Sequence, residues 1–266
     1  MVSPTRLLIV NFIFLLGSFM VRCAGCTWND IVDQDLDRRV SRTRLRPMAR
    51  RAISTSSAFA FTVLQVLVGL GVHELLLPRQ CLYYSIPSIV STGLYPYGKR
   101  FTNYPQIILG CVFSWGVIMA FPAFDLDLPS SLDGRISVGC LFLSCMSWTT
   151  VYDTIYAAQD TKDDLKVGIG SPVVRHRDYT PRVIMVAALG QIILLCFTGI
   201  AMKATWAFFS STCLGTTLIL GIMIRSVDLH DPKDCIWWFK NGSFITGVAI
   251  TSGFVIEYVF RILNRD

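Results

Sequence analysis

The chain has 266 residues, 53% of them hydrophobic, with a mean hydropathy of +0.52 and a formal net charge of +6. Only 16% are charged, against about 25% in an ordinary soluble domain. That balance excludes a soluble globular protein, and the nine cysteines, scattered through apolar stretches, suggest no disulfide framework.

In chain order the apolar residues fall into eight blocks, near 7–25, 53–77, 80–97, 105–123, 135–152, 182–199, 204–225 and 243–262. Each approaches the roughly 20 residues needed to cross a ~30 Å hydrocarbon core. The expectation is an all-α integral membrane protein, a multi-pass transmembrane bundle of about eight helices forming one domain over 1–266. Pro87 and Gly93 interrupt the third block, which a bundle tolerates when neighbours satisfy the freed backbone groups. The first block has the outline of a signal peptide, but cleavage near Gly25 would detach the helix leading into the most polar motif, so it is read as a span. Cys23 and Cys26 form a lone CxxC without a second pair, and are read as small residues at a helix contact. If all eight blocks cross, most of the 24 Lys and Arg collect in loops 26–52, 98–104, 153–181 and 226–242 or at their helix ends. The positive-inside rule places that side in the cytosol, or in the matrix of a mitochondrion.

The acidic motifs lie on that same side. Asn29, Asp33 and Asp37 are spaced i, i+4, i+8, so on a helix they stack along one face. Asp160 and Asp164 are one turn apart, with Asp153 two turns earlier on the expected face. Stacked carboxylates repel one another unless a cation intervenes. Mg²⁺ suits them, because it takes a few carboxylates together with waters and substrate phosphate oxygens. Two such clusters facing each other would hold a diphosphate between metal ions. Asp35 lies off the shared face and is read as solvating the loop; Asp30 and Asp163 are left open between the two readings. Arg22, Arg46, Lys99, Arg100 and Lys162 sit where helices meet these loops and fit phosphate or carboxylate binding. Arg38, Arg39, Arg42, Arg50 and Arg51 are read as topological anchors. His73 and His176 lack ligand-like partners, and Asp125, Asp127 and Asp133 fall on the opposite side from the motifs. Trp206, Trp237 and Trp238 fall near expected interfaces.

At these residues the sequence resembles the UbiA family, in its 4-hydroxybenzoate polyprenyltransferase-like branch. Arg22-Cys23-Ala24-Gly25-Cys26-Thr27-Trp28-Asn29-Asp30, with Asp33 and Asp37, matches the RxxGCxxNDxxDxxxD signature, and Thr43 to Pro47 its TxxRP continuation. Tyr95 to Thr102, with Pro105-Gln106, resembles the YPxxKRxTxxPQ loop. Tyr152 to Asp164 resembles the second, DxxxD motif, and Val227 to Trp237 the last polar loop. The resemblance implies a bundle with a central cavity, Mg²⁺ as cofactor, and a prenyl diphosphate and an aromatic acid as substrates, with no nucleic acid or obligate protein partner. Carried over, Asn29, Asp33 and Asp37 form the first metal site and Asp160 and Asp164 the second, with the four aspartates catalytic. Lys99, Arg100, Lys162 and Arg46 would bind diphosphate, Arg22 the acceptor, and the rings of Tyr152 and Tyr156 an allylic cation.

Two departures shape the finer expectation. The family core usually has nine helices, so one N-terminal helix is expected to be missing. Gly168-Ile169-Gly170-Ser171-Pro172 replaces the GxKST-like run of ubiquinone-pathway members, and with Val173 to Asp178 looks closer to fungal meroterpenoid enzymes. The expectation is therefore farnesyl transfer to a phenolic acid of the orsellinic type in secondary metabolism, in the endoplasmic reticulum or another internal membrane. The alternative is the mitochondrial 4-hydroxybenzoate polyprenyltransferase of ubiquinone synthesis, and a distant one is a transporter with acidic loops. Transporters place essential charges near the midplane, whereas these acids lie in loops and at helix ends.

Overall fold

The computed structural model describes residues 2–168 and 170–264. Ile169, which belongs to the glycine-containing run above, and the side chain of Arg177 lie outside the described residues. The chain forms helices α1 (Pro4–Asp37), α2 (Thr55–Leu76), α3 (Gln80–Phe101), α4 (Pro105–Ala123), α5 (Leu132–Ala158), α6 (Thr161–Val167), α7 (Pro172–His176), α8 (Thr180–Ala201), α9 (Trp206–Ser226) and α10 (Pro232–Leu263). Among the described residues there is no strand. Six helices, α1, α2, α4, α8, α9 and α10, are long and apolar enough to cross a membrane. The third and fifth expected spans, α3 and α5, have 22 and 27 residues but are too polar to meet that standard alone. Together the eight long helices match the expected multi-pass bundle. Their outward apolar side chains, such as Leu8, Phe12, Leu15 and Phe19 of α1 at 66–71% exposure, have lipid as their solvent.

The expected single domain gathers into two compact units. Unit 1 comprises Met1–Leu128 and the returning segment Asp163–Gly170; unit 2 comprises Pro129–Lys162 and Ser171–Asp266.

In unit 1, α1 packs on α2 and α3 on α4. Ser3 accepts the Arg6 N–H and precedes Pro4, a capped start that suits a rigid N1 proline. Ser54 caps α2 by accepting the Ser57 N–H. Helix α3 continues through Pro87 and Pro96. An indole N–H inside a bilayer has to find an acceptor, and the α3 backbone supplies two: Trp28 donates to Gly93 O at 3.0 Å and Trp115 to Tyr84 O at 2.6 Å.

In unit 2, α5 packs along α8 through Val151, Ile155 and Ala158 against Ile184 and Ala188. Helices α9 and α10 widen into π turns at Phe209–Leu214 and Trp238–Gly242. The first of these receives Gly253 of α10 so closely that a Cβ there would fall 1.8 Å from Thr212 Oγ1. Thr149, Thr198, Thr217 and Thr246 return their hydroxyls to the carbonyl four residues back, which leaves small, satisfied side chains where membrane helices approach. At one end, Lys203 adopts φ +53, a conformation a lysine keeps only when its surroundings fix it. Arg261 donates to Met202 O and Lys203 O, while the buried Glu257 accepts from Arg261 and from the Thr205 N–H and hydroxyl.

Candidate active site

The first acidic motif occupies the last turns of α1, as its spacing predicts. Asp33 is 1% exposed. Its Oδ2 accepts from Lys99 Nζ at 3.2 Å, and Arg100 Nη2 lies 3.5 Å from Oδ1 while donating to Val32 O at 2.8 Å. The YPxxKRxT-like end of α3 thus lies against the first motif. Asp37, also buried, accepts from Arg46 Nη1 at 3.0 Å, and the same nitrogen donates to Asp30 at 2.8 Å. Arg46, expected as a diphosphate ligand, therefore bridges two carboxylates of α1, and Asp30 belongs to this network rather than to a solvated face. Asp35 pairs with Arg38 at 2.6 Å, as the loop-solvating reading expects, but Arg38 Nε also donates to Ala49 O at 2.9 Å. Arg38, expected only as a topological anchor, thus also clamps the loop.

The returning segment of unit 1 joins this polar end. Asp163 Oδ2 accepts the Ser41 backbone N–H at 2.8 Å. That backbone bond, with a second from the Ser41 hydroxyl and the nearby Lys166 ammonium, holds the Asp163 carboxyl below the usual carboxylate range. Asp164 is buried next to it at 7% exposure, and the Gly170 N–H donates to Lys99 O at 3.1 Å. Arg22 is exposed on α1, two turns before Asn29 and on its side of the helix.

The remaining expected residues belong to unit 2. Asp153 is on α5, but α5 ends at Ala158, and Asp160 lies in the turn before α6. Asp153, Asp160 and Asp164 therefore do not share one helix face as their spacing suggested. The Thr161 hydroxyl bonds Ala158 O at 2.8 Å and closes the helix there. Lys162 is exposed. Tyr156 and Tyr152 pack on Phe239 of the second π turn, with centroids 4.5 and 5.7 Å away, and Trp148 meets Tyr152 edge-on at 5.8 Å. In the sequence the aromatic run at 237–239 hints at Phe239, while no pattern marks Trp148.

The donor set of unit 1 suits Mg²⁺. The Oδ1 atoms of Asn29 and Asp33 are buried and accept no hydrogen bond, with Arg100 Nη2 3.5 Å from the latter, so a water or a metal ion can complete them. Among the described residues no three acidic, His or Cys side chains converge as a complete metal cage. Mg²⁺ does not need one, since it is usually held by one or two carboxylates, waters and substrate phosphates.

The fold and these residues define a helical membrane protein with oxygen donors and basic side chains gathered at the polar end of unit 1. A profile of the UbiA prenyltransferase family matches residues 3–248. The chain belongs to that family and is a prenyltransferase. It is 36% identical over its full length to the mitochondrial 4-hydroxybenzoate polyprenyltransferase of Schizosaccharomyces pombe, covering 72% of that protein. It is 37% identical over 95% of its length to the Saccharomyces cerevisiae protein of the same name, of which it spans 66%. Among solved structures, a UbiA homolog from Aeropyrum pernix matches 94% of the chain with a TM-score of 0.75 at 21% identity, over 90% of that protein. A homolog from Archaeoglobus fulgidus, solved with GPP and Mg²⁺, matches 96% with a TM-score of 0.65 at 14% identity, over 89% of that protein. At these identities the structural likenesses establish the fold.

Proposed function

We propose that the chain transfers a polyprenyl group from its diphosphate to a ring carbon of 4-hydroxybenzoate, in a mitochondrial membrane. The names of the similar yeast proteins support this alternative over farnesyl transfer to an orsellinic-type acid in the endoplasmic reticulum. The run at 168–172, which suggested the meroterpenoid reading, gives way to the resemblance along the whole chain. The observation that carries the chemistry is the buried Asp33 of α1, paired with two cations from the end of α3, one turn after Asn29, whose buried Oδ1 accepts no hydrogen bond.

In this reading Asn29, Asp33 and Asp37 would hold one Mg²⁺, and Asp160 and Asp164 would serve a second. Bound there, Mg²⁺ would neutralise the charge that builds on the diphosphate. Lys99 and Arg100 add fixed positive charge, and Lys162 is exposed and able to reach a phosphate. The allylic C–O bond breaks with its electron pair leaving on the diphosphate. The ring carbon attacks the resulting cation, a C–C bond forms, and loss of the ring proton restores aromaticity. Arg22 binds the acceptor's carboxylate, and Tyr152 and Tyr156 present ring faces to the cation. Exclusion of water protects the cation from hydrolytic capture.

The test uses membranes containing the protein, Mg²⁺, and geranyl, farnesyl and longer prenyl diphosphates. Acceptors are 4-hydroxybenzoate and a methylated orsellinic acid, with products read by mass spectrometry. Polyprenylated 4-hydroxybenzoate is expected. Farnesylated orsellinic acid alone would refute the proposed acceptor and restore the meroterpenoid reading.

A further inference from the structure

Between the second motif and α7 the chain makes two fastenings that the proposed chemistry does not use. Asp163 spends its carboxylate on the Ser41 backbone N–H, 122 residues away, at 2.8 Å. Ser41 lies four residues after Asp37, in the loop that the Thr43 hydroxyl ties to Asp37 O at 3.1 Å. At the other end of the segment, Gly170 donates its N–H to Lys99 O, on the residue whose ammonium pairs with Asp33. The approach at Gly170 is too close for any other residue. A Cβ there would fall 2.6 Å from Thr102 O and 3.1 Å from Lys99 O, both backbone atoms that cannot turn aside. Gly168, at φ +77, supplies a left-handed step that glycine takes without strain. The buried Asp164 lies between the two fastenings.

We propose that Asp163 and Gly170 are positioning residues that strap Asp164 to the first acidic site of unit 1, and so set how tightly the Mg²⁺–diphosphate substrate is held. The proposal rests on the prenyl-transfer reading for its kinetic consequence, but its geometry stands apart from it. Neither residue touches reacting atoms. Asp163 acts through an acceptor oxygen that asparagine also carries, so Asp163→Asn keeps the bond that Asp163→Ala removes. Gly170→Ala forces the other end off Lys99 and Thr102.

The experiment follows the full-length protein in detergent. Its first readout is the rate of tryptic cleavage at Lys162 and Lys166, without substrate. A fastened segment is cut only after it opens locally, so Asp163→Ala and Gly170→Ala are each expected to be cut at least tenfold faster than wild type. Asp163→Asn should stay within about threefold, given that its neutral acceptor makes a somewhat weaker bond. The second readout is steady-state kinetics. The two alanine variants should raise KM for prenyl diphosphate, and the Mg²⁺ concentration for half-maximal rate, about tenfold or more, with a smaller change in kcat. Unchanged cleavage in both alanine variants overturns the strap. Cleavage of Asp163→Asn as fast as Asp163→Ala overturns the hydrogen bond as its cause. Faster cleavage with equal loss of kcat and no change in KM overturns the role in substrate holding. A wild-type protein that transfers no prenyl group would sink the proposed function and leave the cleavage test of the strap standing.

Discussion

Lys99→Ala and Asp33→Asn remove opposite ends of the same ion pair, and the structure predicts that their costs differ. Asp33 is 1% exposed, whereas the Lys99 and Arg100 side chains are 30% and 42% exposed. Loss of the lysine strands a carboxylate that cannot rehydrate, while loss of the carboxylate leaves cations able to turn to water. Two unit charges at the observed 3.2 Å attract by about 5 kcal/mol at an effective dielectric of ~20. Breaking a buried pair from one side costs about 3–5 kcal/mol. Lys99 is partly exposed and Arg100 remains 3.5 Å from Oδ1, so Lys99→Ala should cost about 2–3 kcal/mol and Asp33→Asn about 1 kcal/mol or less. At about 2–4 °C per kcal/mol for a chain of this size, the unfolding midpoints should fall by roughly 4–12 °C and by at most about 4 °C. A thiol-reactive fluorogenic dye in detergent reads this as the rise above the baseline set by the exposed Cys26, because Cys81, Cys213 and Cys235 are buried until the protein opens. Turnover should rank the variants the other way, with Asp33→Asn, at a proposed metal ligand, losing on the order of 10²-fold and Lys99→Ala less. A larger midpoint drop for Asp33→Asn than for Lys99→Ala would refute the reasoning.

Other expectations follow from the same contacts. Excess chelator should abolish prenyl transfer, and added Mg²⁺ should restore it; full turnover in chelator would remove the metal from the reaction. Asp160→Ala should abolish product while leaving membrane insertion intact; substantial turnover would remove Asp160 from the proposed metal site. Gly253→Ala should lower the midpoint by the equivalent of about 1–3 kcal/mol or more, because Thr212 has no room to withdraw from a Cβ 1.8 Å away; an unchanged midpoint would show that the π turn yields freely. Glu257→Gln should loosen the 202–205 turn by weakening three bonds at once, read as faster amide hydrogen exchange at Thr205, with prenyl transfer retained.

The first acidic site was legible because it is local. Asn29, Asp33 and Asp37 lie on one helix, so the four-residue period alone puts them on one face, and the helix persists to Asp37. The spans were legible for a similar reason, since a bilayer imposes length and apolarity on each segment separately. The second motif was harder. Its spacing suits a continuous helix, but α5 stops at Ala158 and the chain turns before α6. Arg46 fits a phosphate ligand by type and loop position; that it bridges Asp30 and Asp37 was not legible, because it depends on how the loop folds back 16 and 9 residues. Asp163 and Gly170 were beyond reach altogether. Their partners lie far along the chain, and no period or motif marks a backbone N–H or carbonyl as a docking point. Phe239 was masked in the same way by its place in an aromatic belt.

The covalent path through the two units sets an order for the protein's own manufacture. A ribosome that has delivered the first 128 residues has made every long helix of unit 1, yet the piece that ends with Gly170 is still unwritten. Helix α5 has to be synthesised and handed to the membrane before Asp163 reaches Ser41. Until then the loop after α1 keeps an unclaimed N–H and the end of α3 an unclaimed carbonyl. Completion of the acidic site is thus a late event in biogenesis, tied to the arrival of the second half of the chain. A nascent chain stalled short of Gly170 carries Asp33 and Lys99 without the segment that fastens Asp164 to them.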